Sequence, residues 1–303
     1  MGIASRPNEC EFWTRCTADK PADWIIYLPR LRAARFAELE AYGVESMRDI
    51  PPDFPLTPGQ QRVVDAMVLG REFISDDLQD ALVPFGPPAS YLDFETFSPA
   101  IPLYEGTSPY QRIPFQWSLH HDDGAGNVRH VEFLADGGVD PRWEFAETLL
   151  QAVEGGAGPI IVYSSFEASV LRDLAGFLPA LSGRLLAVVD RLCDLLPIIR
   201  SHVSHPEFFG SYSIKAVAPA LVPGFSYHDL VDVADGADAS AVFYRLASDR
   251  SLSTEARIRY RRALLGYCRH DTLALLYVHR SLAGRLSNKN FRASTDYEKE
   301  GNI

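Results

Sequence analysis

From Ile113 to Leu119 the chain alternates without interruption: Ile113, Phe115, Trp117 and Leu119 are apolar, and Pro114, Gln116 and Ser118 stand between them. A period of two places alternate side chains on opposite faces of a pleated strand. The turn residues Asp123-Gly124 and Gly126-Asn127 follow, and a third strand is expected over 128–134. Residues 91–96 read as an earlier short strand. Three antiparallel strands in succession make a meander, and its apolar face must be covered by helices.

Those helices are legible downstream. Residues 143–153, 167–177, 213–221, 239–247 and 253 to about 282 carry helical patterns, and 159–163 is a short buried strand. The largely apolar stretch 185–199 is expected to hold a strand-to-helix transition. The expectation for 89–285 is therefore an α/β domain, a mixed sheet flanked by helices. Upstream, Leu28, Leu31, Phe36 and Leu39 recur at helical spacing over 24–42, with Gly43 as the stop, and Thr57-Pro58 opens a second helix. Residues 1–83 read as a small helical module. The proline-rich run around Pro84, Pro87 and Pro88 marks its end, and 286–303 reads as a polar tail.

Composition narrows the class. The 303 residues are 47% hydrophobic and include four scattered cysteines. That excludes a disulfide framework, and no apolar run reaches the roughly 20 residues of a membrane span. A cytoplasmic protein with no membrane partner is expected. The net charge of −11 argues against a generic nucleic-acid coat protein. It leaves room for a nuclease whose charge is closed by metal ions. Arg257, Arg259, Arg261 and Arg262 form either a phosphate track or a solvated helix face.

Five side chains carry the chemistry. Asp93 and Glu95 lie two apart on a strand, so their carboxylates leave the same face, with Cα atoms about 6–7 Å apart. Glu167 opens a helix after a short apolar strand, where the helix dipole favours a negative charge. Asp190 and Asp194 are rivals for its place. Tyr267 and Asp271 lie four apart in the last helix and share a face. Taken singly, each has an ordinary explanation: a solvated strand edge, a helix-start acid, a core tyrosine. As an ordered set they are what a two-metal phosphodiesterase needs, with carboxylates that share two divalent cations and a phenol to orient a water. Tyr104 and Tyr110 sit in a loop where they can stack on the bases of a single strand.

Asp93-Phe94-Glu95-Thr96, Phe166-Glu167 with Leu171, and Tyr267 to Asp271 resemble the three motifs of the DEDD exonuclease superfamily in its tyrosine form. The chain is similar, more closely still, to a bacterial family described as domain of unknown function 2779. That likeness rests on 91–96, on Ile101-Pro102 through Pro109-Tyr110-Gln111-Arg112-Ile113-Pro114-Phe115-Gln116, on Gly210-Ser211-Tyr212-Ser213-Ile214-Lys215-Ala216-Val217, and on Tyr267-Cys268 with Asp271-Thr272.

The superfamily resemblance implies a ribonuclease-H-like fold and 3′→5′ exonuclease activity on a single-stranded nucleic-acid end. It implies two Mg²⁺ or Mn²⁺ ions held by Asp93, Glu95, Glu167 and Asp271, with Tyr267 orienting the water. Tyr104, Tyr110, Gln111, Arg112 and Lys215 are the candidate nucleic-acid contacts. One departure stands out. The second motif usually has Asp, and Glu167 moves its carboxylate by about 1.5 Å, one carbon–carbon bond. A second reading therefore stays open: a ribonuclease-H-like nucleic-acid-binding or accessory module of a nuclease or repair complex. In longer relatives a RecB/Cas4-like nuclease domain with an iron–sulfur cluster precedes this region. Cys10 and Cys16 resemble the end of that cluster, but a cluster needs four thiolates and is not expected on two.

Overall fold

The structure is a computed structural model, and it describes residues 12–154, 156, 158–227, 233 and 235–284. The chain packs as two compact units. Among the described residues, 12–80 with 196–220 form the first, and those of 81–195 and 221–284 the second. Cys10 and the tail beyond 284 lie outside the described residues.

The first unit gathers Ile25, Leu28, Phe36, Leu39, Val44, Met47, Phe54, Val63 and Val64 into one core. The helix expected over 24–42 is shorter, only Ala33–Ala41, preceded by a 3₁₀ turn at Ile25–Tyr27. Pro29 explains the difference. A residue before proline is pushed out of the helical region, and Leu28 is extended at φ −66°, ψ 119°. Gly43 does end the helix, at φ 72°. The helix Pro58–Leu69 begins with a capping box: the Thr57 side chain accepts from the Gln60 amide, and Gln60 accepts from the Thr57 amide.

The segment 196–220 was expected to belong with the region 89–285, but it packs with the N-terminal unit. Its strand Val203–Ser204 pairs antiparallel with Phe73–Ile74. Here Gly210 has φ 67°, and a Cβ at that position would stand 1.6 Å from the Tyr27 carbonyl oxygen. Gly210→Ala is therefore expected to destabilise this unit by about 2 kcal/mol or more, read as a lowered denaturation midpoint.

The second unit is a five-stranded mixed sheet between two helical layers. The meander is β1 (Ala89–Phe97), β2 (Ile113–Asp122) and β3 (Val128–Leu134). Then come α1 (Arg142–Glu154), β4 (Ile160–Val162), α2 (Phe166–Phe177), α3 (Ser182–Val189) and β5 (Leu192–Asp194). The last two helices are α4 (Gly236–Ser248) and α5 (Thr254–Gly284). The strand order is β3-β2-β1-β4-β5, with the meander antiparallel and β1, β4 and β5 mutually parallel.

Alternation along β1 decides what each layer receives. Leu92 and Phe94 enter a core with Trp117, Leu119, Ile160, Val162 and the apolar faces of α1, α2 and α3. Phe97, with Ile113 and Phe115, joins the opposite core under α4 and α5. Asp93 and Glu95 belong to that second side. The register shifts between Glu95 and Thr96, where a bulge leaves Phe115 without an opposite residue before pairing resumes at Thr96 and Pro114.

A row of polar contacts holds α5 along the sheet. Gln116 Nε2 donates to the Leu264 carbonyl at 2.8 Å. Thr272 Oγ1 lies 2.9 Å from Ser118 Oγ and 2.8 Å from His120 Nδ1, and Tyr91 Oη lies 2.8 Å from His279 Nδ1. All these groups are buried, so each unmade bond would cost about 1–3 kcal/mol. The row thereby fixes the register of the helix that carries Tyr267 and Asp271. Among the described residues, no helix is long and apolar enough to cross a membrane.

Candidate metal centre

The central strand and the last helix bring the predicted acids together. Asp93, Glu95 and Asp271 each present a carboxylate oxygen, and these oxygens all lie within 4.8 Å of one another. Cys268, one turn before Thr272, is fully buried, with Sγ 3.5 Å from Asp93 Oδ2. The N-terminus of α4 closes the other side: a Cβ at Gly236 would stand 3.7 Å from Glu95 Oε2. Asp235 caps that helix, accepting from the amides of Ala237 and Asp238 at 2.8 and 2.9 Å. The positive end of α4 therefore faces a carboxylate.

Glu167 is the second residue of α2 and only 3% exposed. It stands outside the trio yet within electrostatic reach of Asp93 on one side and Asp194 on the other. Its Oε2 is buried with no hydrogen-bond partner. Burial, then the Asp194 carboxylate, pushes its acid up to about 8. Burial also holds Asp93 well above the usual carboxylate range, reinforced by Asp271, Glu95 and Glu167. Burial and neighbouring carboxylates thus favour the protonated forms of Asp93 and Glu167 unless positive charge arrives. Hard oxygen donors in such number suit Mg²⁺ or Mn²⁺, and the buried, partnerless Glu167 oxygen is the kind of atom a cation would satisfy. The residues present therefore fit divalent metal ions.

Tyr267 is buried beside Asp271. Burial, then the Asp271, Glu95 and Asp93 charges, raises its phenol far above the ordinary value, so it stays protonated. A second phenol was not foreseen. Tyr227 also lies against Asp271, with its acidity suppressed by burial first and by Asp271 next. It arrives from the segment before α4, where no local periodicity signals a site. Its ring meets His270 edge-on at 4.8 Å, and His270 Nε2 donates to the Ser226 carbonyl at 2.7 Å. His270 thus helps anchor the segment that brings Tyr227 to Asp271. Of the rivals to Glu167, Asp194 neighbours it, and Asp190 ends α3.

The expected nucleic-acid contacts divide. Tyr110 is 73% exposed, at φ 59°. Tyr104 packs edge-on against Phe97 and donates to the Gly137 carbonyl at 3.2 Å. Gln111 Oε1 accepts from the Ser108 amide. Arg112 is held by Ser169 and Asp173 of α2, with its guanidinium over the Phe166 ring, one residue before Glu167. Lys215 lies on the helix Ile214–Leu221, within the first unit. In the arginine run, Arg257 donates to the Leu246 and Asp249 carbonyls, and Arg261 to the carbonyls of Leu134 and Ala135. Both tie α5 to its neighbours. Arg261, Arg262 and Arg269 line an open groove of about 470 Å³ beside Glu132.

The family model described as domain of unknown function (DUF2779) matches residues 90–213. This supports the resemblance to that family over 91–96, 101–116 and 210–213, while Tyr267-Cys268 and Asp271-Thr272 lie beyond the matched stretch. No curated protein and no solved structure matches the chain.

Proposed function

We infer that this chain is a metal-dependent phosphodiester hydrolase acting as a 3′→5′ exonuclease on a single-stranded nucleic-acid end, on a ribonuclease-H-like fold. The observation that carries this reading is the convergence of Asp93, Glu95 and Asp271, from a central strand and a distant helix, on one point. The antiparallel meander continued by parallel strands supports the fold assignment.

Asp93, Glu95 and Asp271 would hold one divalent cation, and Asp93 with Glu167 a second. When bound, such a pair supplies an activated water and neutralises charge on the leaving oxygen. The remaining work falls to the protein. Tyr267 presents its hydroxyl beside Asp271 and so orients a water or a phosphate oxygen. Tyr227 bears on Asp271 from a second direction and fixes that carboxylate. Arg112 braces the start of α2 and with it the position of Glu167.

The test is Mn²⁺ uptake followed by calorimetry, together with digestion of end-labelled single-stranded oligonucleotides with and without chelator. Specific uptake and chelator-sensitive shortening from the 3′ end are expected. No uptake, or digestion that survives chelation, would reject the reading. Tyr267→Phe is expected to slow digestion about ten- to a hundredfold, the range for groups that orient a metal site, with Mn²⁺ affinity nearly unchanged.

A second reading draws on Glu167 standing outside the trio: an accessory module that retains one cation site without catalysis. Uptake of a single Mn²⁺ with no digestion of any strand would favour it.

A further inference from the structure

The first unit holds a pocket that the proposed hydrolysis does not use. It has a volume of about 250 Å³, and Trp13, Tyr27, Phe209 and Tyr212 line it together with Arg30 and Arg200. Both arginines are exposed, and among the described residues neither takes part in an ion pair. In a chain with 40 acidic and 29 basic residues, these two guanidinium groups place positive charge at one pocket.

The backbone around the pocket is held in uncommon conformations. Arg30 has φ 54° and Phe209 φ 46°, the left-handed region that non-glycine residues rarely enter. Gly210 admits no side chain because the Tyr27 carbonyl fills that space. Left-handed non-glycine residues cost of order 1–3 kcal/mol each and persist where the surroundings enforce them. Here two of them fall on one pocket wall. The Tyr27 and Phe209 rings pack against each other at 5.4 Å, so that wall is preformed.

Flat aromatic surfaces bind nucleobases by stacking, and arginine forks bind phosphate oxygens. We propose that this pocket binds a nucleotide unit, its base among Trp13, Tyr27, Phe209 and Tyr212 and its phosphate on Arg30 and Arg200. The site is independent of the carboxylate cluster and stands whether or not that cluster hydrolyses anything. The unit is supplied either as a free mononucleotide or as one residue of a single strand.

The full chain is titrated in chelator, so that the metal centre takes no part, with inorganic phosphate, deoxyadenosine monophosphate and a short deoxyadenylate oligomer. Tryptophan fluorescence reports on Trp13, and calorimetry gives the affinity. Saturable quenching by the mononucleotide is expected, with binding at least tenfold tighter than for phosphate alone. Arg30→Ala with Arg200→Ala should weaken binding at least tenfold while leaving the circular dichroism spectrum unchanged. Trp13→Phe should remove most of the quenching and weaken calorimetric binding of the mononucleotide. An oligomer bound tenfold or more tighter than the mononucleotide identifies a strand as the source, and equal affinities identify the free nucleotide. Absence of saturable binding, unchanged affinity in the double arginine variant, or tighter binding of a phosphotyrosine peptide than of the nucleotide would overturn the assignment.

Discussion

Asp93→Asn is expected to lower Mn²⁺-dependent digestion of a single-stranded oligonucleotide on the order of a thousandfold, at the upper end of what one preorganised electrostatic group contributes. The substitution keeps the side chain's shape and deletes the charge that faces Glu95, Glu167 and Asp271 together. Its effect on stability should have the opposite sign. At alkaline pH, where the metal-free cluster is ionised, removing one of several buried like charges relieves repulsion. The variant's Tm in chelator should then exceed that of the parent, by about 2–4 °C per kcal/mol for a domain of this size. Lost activity with a raised Tm separates a missing cation ligand from simple misfolding. An unchanged digestion rate would remove Asp93 from the site.

Mn²⁺ affinity should climb steeply with pH. Glu167 is raised from 4.5 to about 8, and Asp93 lies well above its usual range. The folded, metal-free protein therefore holds protons that the unfolded chain has already released. Its stability falls as pH rises from about 4.5 to about 8, by about 1.4 kcal/mol for each unit by which a group is raised. A binding cation must expel those protons, so calorimetry in two buffers of different ionisation heat should show proton release that fades above about pH 8.

The buried histidines act in the other direction. His120 is lowered to about 3, and His130 and His279 to about 4, in each case chiefly by burial. Below their ordinary 6.5 the unfolded chain takes up protons that the folded protein refuses, and stability falls with falling pH. The two slopes overlap between 4.5 and 6.5, where the metal-free protein should be most stable. Affinity that stays level from mildly acid to mildly alkaline solution would contradict the buried cluster.

The parts of the site that were legible in the sequence are those set by local geometry. Two carboxylates two apart on a strand share a face, and a tyrosine and an aspartate four apart on a helix do likewise. Both follow from backbone periodicity and needed no knowledge of the fold. The contribution of Tyr227 depends on how the segment before α4 drapes over α5, a long-range matter with no local signature. The same holds for 196–220, whose helical and strand content is unremarkable but whose partner is the N-terminal unit. The overlong helix expected near the start came from following apolar spacing through Pro29, which the chain itself marks as a break. Glu167 was legible as a helix-opening acid; that it would be dry and wedged between Asp93 and Asp194 was not.

Thr272, which pins the last helix to the sheet through Ser118 and His120, is the immediate neighbour of Asp271. Anchor and ligand are geared to one pitch. A slip of α5 by a single residue would unseat the pin and swing the carboxylate about 100° around the helix axis. This carboxylate cluster should consequently come apart whole, since loosening that helix cannot leave a half-aligned pocket behind.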